Sequence, residues 1–176
     1  MYDTILIPTD GSEPARRSIA HGVDVAERYG ATVHALYVVD LEAANYSLGT
    51  EQVERLRRGK LSEMPEVQEK ANAATAEVAR RAADAGLDVV EHVAVGSPHD
   101  EIVDYVADHD VDLAVMGSHG RSGISRMLLG SVTERVVRTA GVPVLTVRIA
   151  GDDGKGEGEN ESESSEGDAG DDEPAT

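Results

Sequence analysis

Five short runs of apolar, mostly β-branched residues punctuate the chain: Thr4–Pro8, Thr32–Val38, Asp88–Val95, Leu113–Met116 and Val142–Ile149. Runs of this length and composition predict strands. Between them the period lengthens. Val67, Ala71, Ala74, Val78, Ala82 and Ala85 recur at steps of three and four within Glu66–Ala85. That is one stripe of a helix, and Gly86 stands where a glycine ends one. Ser18–Tyr29, after the turn-like TDGSEP, predicts a helix. Another opens at Ser97–Pro98, with Ser as N-cap and Pro in the first turn. It carries Ile102, Val103 and Val106 on its apolar face. A further helix is predicted from about Ser131 to Thr139.

Alternation of strand and helix, five strands deep, predicts an α/β fold: a five-stranded parallel sheet with helices on both faces. Right-handed crossovers and a reversal between strands 1 and 4 give the order 3-2-1-4-5. Ligands bind such sheets beyond the carboxyl ends of the strands, at that reversal. Two loops leave the gap, Thr9–Pro14 and Gly117–Gly130. The segment Asp40–Pro65 is harder to read. Gln52–Arg58 predicts a helical turn or two, in what is expected to be the most mobile stretch of the body.

Charge changes the picture at the C-terminus. The chain has 176 residues and a net charge of −18. Residues 151–176 hold 11 acids and one Lys, a charge of −10, which leaves −8 on residues 1–150. The expected organisation is therefore one domain over 1–150 and an acidic, disordered tail over 151–176, too poor in apolar residues to offset the entropy of ordering. Both parts are acidic, which disfavours nucleic acid and anionic membrane as partners. No apolar run approaches the length of a membrane span. The N-terminus lacks the basic and cleavage regions of a signal peptide. With no Cys, disulfides and thiolate metal sites are excluded, and a cytoplasmic location is expected. Thirteen Arg against three Lys, with no Phe or Trp, suit a cytoplasm of very high salt, where repulsion is screened. An ordinary acidic protein is the alternative.

Against that background, Val115–Val136 is unusual. It holds glycines at 117, 120, 123 and 130 and no acid before Glu134. Gly117 and Gly120 permit positive φ and so convergent amides. Ser131 heads a helix whose first N–H groups lack internal partners. Strand, glycine turn and helix N-terminus together suit a phosphate, with His119, Arg121 and Arg126 as possible further donors. Neither the Walker pattern nor the dinucleotide fingerprint is present. Ser131-x-x-Glu134 also fits a capping box, so a structural loop before a capped helix stays open. His21, His34, His92, His99 and His109 show no metal-ligand spacing. His34 and His92 fall within strands and read as satisfied strand residues.

The chain resembles the universal stress protein family, in its nucleotide-binding type. The residues that carry the likeness are YDTILIPTDGS (2–12), Gly96-Ser97-Pro98, DLAVM (112–116), Gly117-x2-Gly120-x9-Gly130-Ser131 and VPVLTV (142–147). They span nearly all of 1–149. The resemblance implies a Rossmann-like fold of the adenine nucleotide alpha hydrolase-like kind and an ATP site. Asp10, after Pro8 and Thr9, resembles the acid at the nucleoside end; its alternative is a turn or cap acid. Val38 resembles the residue whose backbone recognises adenine. Met116 and Gly117 would wall the site. Gly120, Gly130, Ser131 and Val132 would hold phosphates, with Arg121 assisting. Mg²⁺ would arrive with ATP, held by phosphate oxygens and water. The resemblance also implies an antiparallel homodimer through the last strand, Val142–Ile149. No well-placed general base is visible. An ATP-dependent regulatory switch of the stress response is therefore the leading expectation. A slow ATPase, or a structural dimer that acts through its tail, are the alternatives.

Overall fold

The structure is a computed structural model, and it describes residues 1–118 and 129–148. Five strands form one parallel sheet: β1 (Thr4–Pro8), β2 (Thr32–Asp40), β3 (Val89–Gly96), β4 (Leu113–Gly117) and β5 (Val144–Val147). Their order is β3-β2-β1-β4-β5, as the strand and helix alternation predicts. The helices are α1 (Glu13–Tyr29), α2 (Leu41–Ser47), α3 (Thr50–Arg57), α4 (Pro65–Asp84), α5 (Pro98–Asp108) and α6 (Ser131–Thr139). A 3₁₀ turn, Leu61–Glu63, precedes α4.

Helices cover both faces. On one, Ile19, Val23 and Ala26 of α1 and Val78 and Ala82 of α4 pack on Ile5, Ile7, Val33 and Val115. On the other, Ile102 and Val106 of α5 and Val136 of α6 pack on Leu6, Leu36 and Met116. Alternate residues of each strand thus serve opposite layers. Ile5, Leu6 and Ile7 of the central strand are wholly buried.

Most boundaries agree with the sequence reading to within one residue, and α1, β2 and β5 depart further. Helix α1 begins at Glu13 rather than Ser18. Ser12 caps it, its Oγ accepting from the Ala15 amide at 3.4 Å, and Pro14 sits in its first turn. Strand β2 runs on to Asp40, pairing with β3 as far as Gly96. Strand β5 is shorter than Val142–Ile149, and Ile149 lies outside the described residues.

Asp40–Pro65 forms the helices α2 and α3. The Asp40 carboxylate accepts from the amides of Glu42 and Ala43 and so starts α2. Ala44, Val53, Leu56 and Met64 then pack against Tyr37 and Val39 of β2 and Ala71 and Ala74 of α4. Burying a side chain such as Leu56, 1% exposed, contributes about 1.5–3 kcal/mol. At the amino ends of the strands, the Asp112 carboxylate accepts from the amides of Asp3 (2.7 Å) and Thr4 (3.0 Å), fixing β4 beside β1. Those bonds hold its carboxyl below the ordinary carboxylate value.

Candidate functional site

Beyond the carboxyl ends of the strands lies a cleft of about 570 Å³. Its floor is the end of β1. The Thr9 amide donates to the Leu36 carbonyl at 2.8 Å, and Thr9 Oγ1 accepts from the Gly11 amide at 3.2 Å. Asp10 Oδ1 accepts from the Ser12 amide at 2.9 Å, the turn geometry that leads into α1. Asp10 therefore performs the turn role its sequence context suggests, and it also lines the cleft.

Backbone alternation places Val38. In β2 the Thr32 amide bonds toward β1, to Asp3, and the Val33 amide bonds toward β3, to Asp88. Leu36 again faces β1, as the acceptor from Thr9. The same alternation turns the N–H and C=O of Val38 toward the β1 side. The β1–β2 pairing ends at Pro8 and Leu36, so these groups face the cleft rather than a strand.

The opposite wall is the end of β4 and the start of α6. The Thr133 hydroxyl donates to the Gly117 carbonyl at 2.9 Å. The Gly130 amide donates to the Ser118 carbonyl at 2.8 Å, and the Ser118 amide to Val147 at 2.8 Å. These three bonds fix the first turn of α6 against β4 and β5. Gly130 is the N-cap, with φ −61° and ψ 149°, and it has no side chain to offer the helix. Ser131 is the first helical residue. The capping box read into Ser131-x-x-Glu134 is not formed, because both residues sit one position too far along. Glu134 pairs instead with Arg138 at 2.9 Å.

Gly117 also needs correction. Its glycine does not supply a positive φ. A Cβ there would lie 2.8 Å from the Pro14 carbonyl carbon, so the missing side chain lets α1 approach the end of β4.

Of the residues proposed from sequence, Pro8, Thr9, Asp10, Val38, Met116, Gly117, Gly130, Ser131 and Val132 all line the one cleft. His119, Gly120, Arg121 and Arg126 lie outside the described residues. Sequence reasoning missed the walls built by α2, α4 and α5. Ala43 and Ser47 come from the first with Leu48 just past its end, Lys70 from the second, and Pro98 and Ile102 from the third. It also missed Thr133, a buried threonine in a helical first turn. The Ser97–Pro98 helix start was the available signal for α5. None marked α2, whose approach depends on long-range packing.

A doubly wound α/β sheet with a cleft at the β1/β4 reversal, walled by a glycine-capped helix start, defines a switch-point ligand-binding protein. The family model of the universal stress protein family matches residues 1–148, and the chain belongs to that family. It is similar to universal stress protein MJ0531 of Methanocaldococcus jannaschii, with 36% identity over 84% of this chain and 83% of the relative. Universal stress protein MJ0577 of the same organism is 33% identical over 84% of this chain and 96% of its own length. A solved structure of MJ0577 superposes with a TM-score of 0.69 at 34% identity, covering 85% of this chain and 97% of that one. A universal stress protein in complex with cAMP superposes with a TM-score of 0.58 at 26% identity, covering 84% and 97%.

Proposed function

We propose that this protein binds ATP in the β1/β4 cleft and acts as a nucleotide-dependent regulatory switch of the stress response. The observation that carries the reading is the first turn of α6. It starts at a glycine, is pinned by Thr133 to β4, and lines the same cleft as the outward backbone of Val38. A helix N-terminus with free amides favours a phosphate. A strand edge presenting one N–H and one C=O suits adenine, which offers an acceptor beside a donor. The relative solved with cAMP supports an adenine nucleotide as the ligand class. Gly130, Ser131 and Val132 would hold the phosphates, with Gly120 and Arg121 from the intervening loop. Pro8, Thr9 and Asp10 would meet the nucleoside, and Met116 and Gly117 would close the wall.

Of the cleft's three carboxylates, Asp10 and Asp40 accept hydrogen bonds from backbone amides of their own turns, and Glu66 stands at the start of α4. Among the described residues they form no cluster of the kind that holds a metal ion, so Mg²⁺ would come with the nucleotide, on phosphate oxygens and water. Amides that hold the ground state do not by themselves accelerate hydrolysis, which favours a switch over a slow ATPase.

The assembly we infer is a homodimer through β5. The Pro143 and Val147 carbonyls bond toward β4, so the N–H and C=O of Val144 and Thr146 turn outward along the sheet edge. Leu145 is 38% exposed and Val137 of α6 is 46% exposed, giving that edge an apolar border. Such an edge pairs with a second copy. The acidic, lysine-poor composition supports a cytoplasm of high salt as its setting, and no helix among the described residues is long and apolar enough to cross a membrane.

The test is to purify the protein from its cells in molar KCl and identify released nucleotide by mass spectrometry. The parent should carry adenine nucleotide, and a Gly130→Val variant should carry none. Equal loading of both would overturn the site.

A further inference from the structure

Away from the cleft, four of the chain's arginines meet. Arg16 and Arg17 of α1, Arg81 of α4 and Arg148 after β5 line one open depression of about 610 Å³, with His21 beside them. Two glutamates share it. Glu77 meets Arg16 Nε at 3.1 Å, and Glu13 meets Arg17 Nε at 3.3 Å. Arg16, Arg17 and Arg81 against Glu13 and Glu77 leave the depression positive even before Arg148 is counted, on a body whose charge is −8. A guanidinium has five N–H donors, and one contact at Nε uses one of them. Arg16 and Arg17 keep about half their side-chain surface exposed, at 53% and 50%.

The strongest anion within reach is the chain itself. Residues 151–176 carry −10 and begin three residues after Arg148, which lines the depression. An extended chain spans roughly 3.3–3.6 Å per residue, so even the first ten tail residues could cross the face. Tethering places those carboxylates at an effective concentration in the millimolar range.

We propose that the acidic segment 151–176 seats on this arginine face of its own chain, held by carboxylate–guanidinium contacts. The contact is an ionic-strength gauge. It closes in dilute salt, where the Debye length is about 10 Å, and opens in molar salt, where it is about 3 Å. The face lies on the α1/α4 side of the sheet and shares no residue with the nucleotide cleft, so the tail's position reports salt without needing ATP. Opening would free the tail for other partners as salt rises.

The experiment uses the full chain bearing Arg81→Lys, which keeps the charge and supplies an amine. A water-soluble carbodiimide then joins that amine to any carboxylate in contact, and peptide mapping locates the bond. The proposal expects bonds from position 81 to acids of the tail in dilute buffer, lost in molar KCl and diminished by Arg16→Gln with Arg17→Gln. An Arg80→Lys chain, with its amine one residue off the depression, should give markedly fewer. Mixing isotope-labelled and unlabelled chains separates the sources. Bonds within one chain support the proposal, whereas bonds between chains assign the face to a second copy and overturn it. Equal coupling at positions 80 and 81, coupling indifferent to salt, or no tail coupling at all also overturns it. No arm of the experiment uses nucleotide and no substituted residue lines the cleft, so its outcome is independent of the ATP reading.

Discussion

Thr133, three residues past the N-cap of α6, donates its hydroxyl to the carbonyl of Gly117 at the end of β4, at 2.9 Å. The bond spans 16 positions of sequence and bypasses the loop between them. It fixes where the helix begins relative to the strand. Replacing Thr133 by Val keeps the shape and strands a buried carbonyl. The expected cost is about 1–3 kcal/mol in chemical denaturation. ATP should also bind more weakly, because the turn proposed to face the phosphates loses its anchor. Thr139→Val, which removes an exposed hydroxyl bonded to Arg135, serves as the control and should change neither. Equal effects of the two substitutions would contradict the anchoring role.

Gly117→Ala tests the other side of the same carbonyl. The added methyl would sit 2.8 Å from backbone atoms of Pro14, which cannot rotate away. Helix α1 must shift, at an expected cost of about 1–3 kcal/mol. The shift displaces the Thr9–Pro14 turn, so ATP affinity should fall together with the denaturation midpoint. An unchanged midpoint would show that α1 and β4 are less closely packed than this structure has them.

These two residues also show what sequence could and could not reveal. Strand order was legible, because β-branched runs and a stripe such as Val67 to Ala85 differ in period and alternate regularly. Gly130 was legible as the residue before a helix. At Gly117 a place in the cleft wall and a glycine's loop potential are visible in sequence, but the helix that passes over it, which is what requires the glycine, is not. Ser12–Pro14 looked like a turn, although Ser at the cap and Pro in the first turn are equally a helix start. The wall made by α2 was illegible, since Ala43 and Leu48 reach the cleft only through the packing of Ala44, Val53 and Leu56.

Acid should weaken the fold through histidines far from the cleft. His34 lies 3.0 Å from the Tyr105 hydroxyl, and Tyr105 stacks on His109 with ring centroids 3.8 Å apart. His92 flanks the same tyrosine at 5.2 Å. Burial, and then the charge of His109, holds His34 and His92 below the ordinary imidazole value of 6.5. The folded chain therefore binds fewer protons than the unfolded one. This contribution is complete above about pH 6.5 and is lost as pH falls through the lowered values. The urea midpoint should drop between neutral pH and mildly acid pH, and His34→Gln should flatten that slope. A slope unchanged by the substitution would contradict the assignment. Asp112 adds a loss of the same sign in a more acid window, because its carboxyl is held low by the Thr4 and Asp3 amides.

The proposed edge pairing of β5 carries a specific sensitivity. The Thr146 amide turns away from β4, so Thr146→Pro removes an outward donor while the β4–β5 bonds through Pro143 and Val147 remain. Light scattering coupled to gel filtration should show the parent as a dimer and the variant as a monomer. Leu145→Lys, at an exposed position, should act in the same direction with little effect on the monomer's stability. A variant that stays dimeric would place the interface elsewhere.

Backbone amides at the start of α6 are proposed to hold a nucleotide's phosphates. Titration calorimetry with ATP, on nucleotide-stripped protein in molar KCl, tests this most directly. The parent should bind ATP at one site per chain, and Gly130→Val should bind it at least about tenfold more weakly, a loss of about 1.4 kcal/mol or more. A parent that takes up no ATP, or a variant that binds as tightly as the parent, would contradict the proposal.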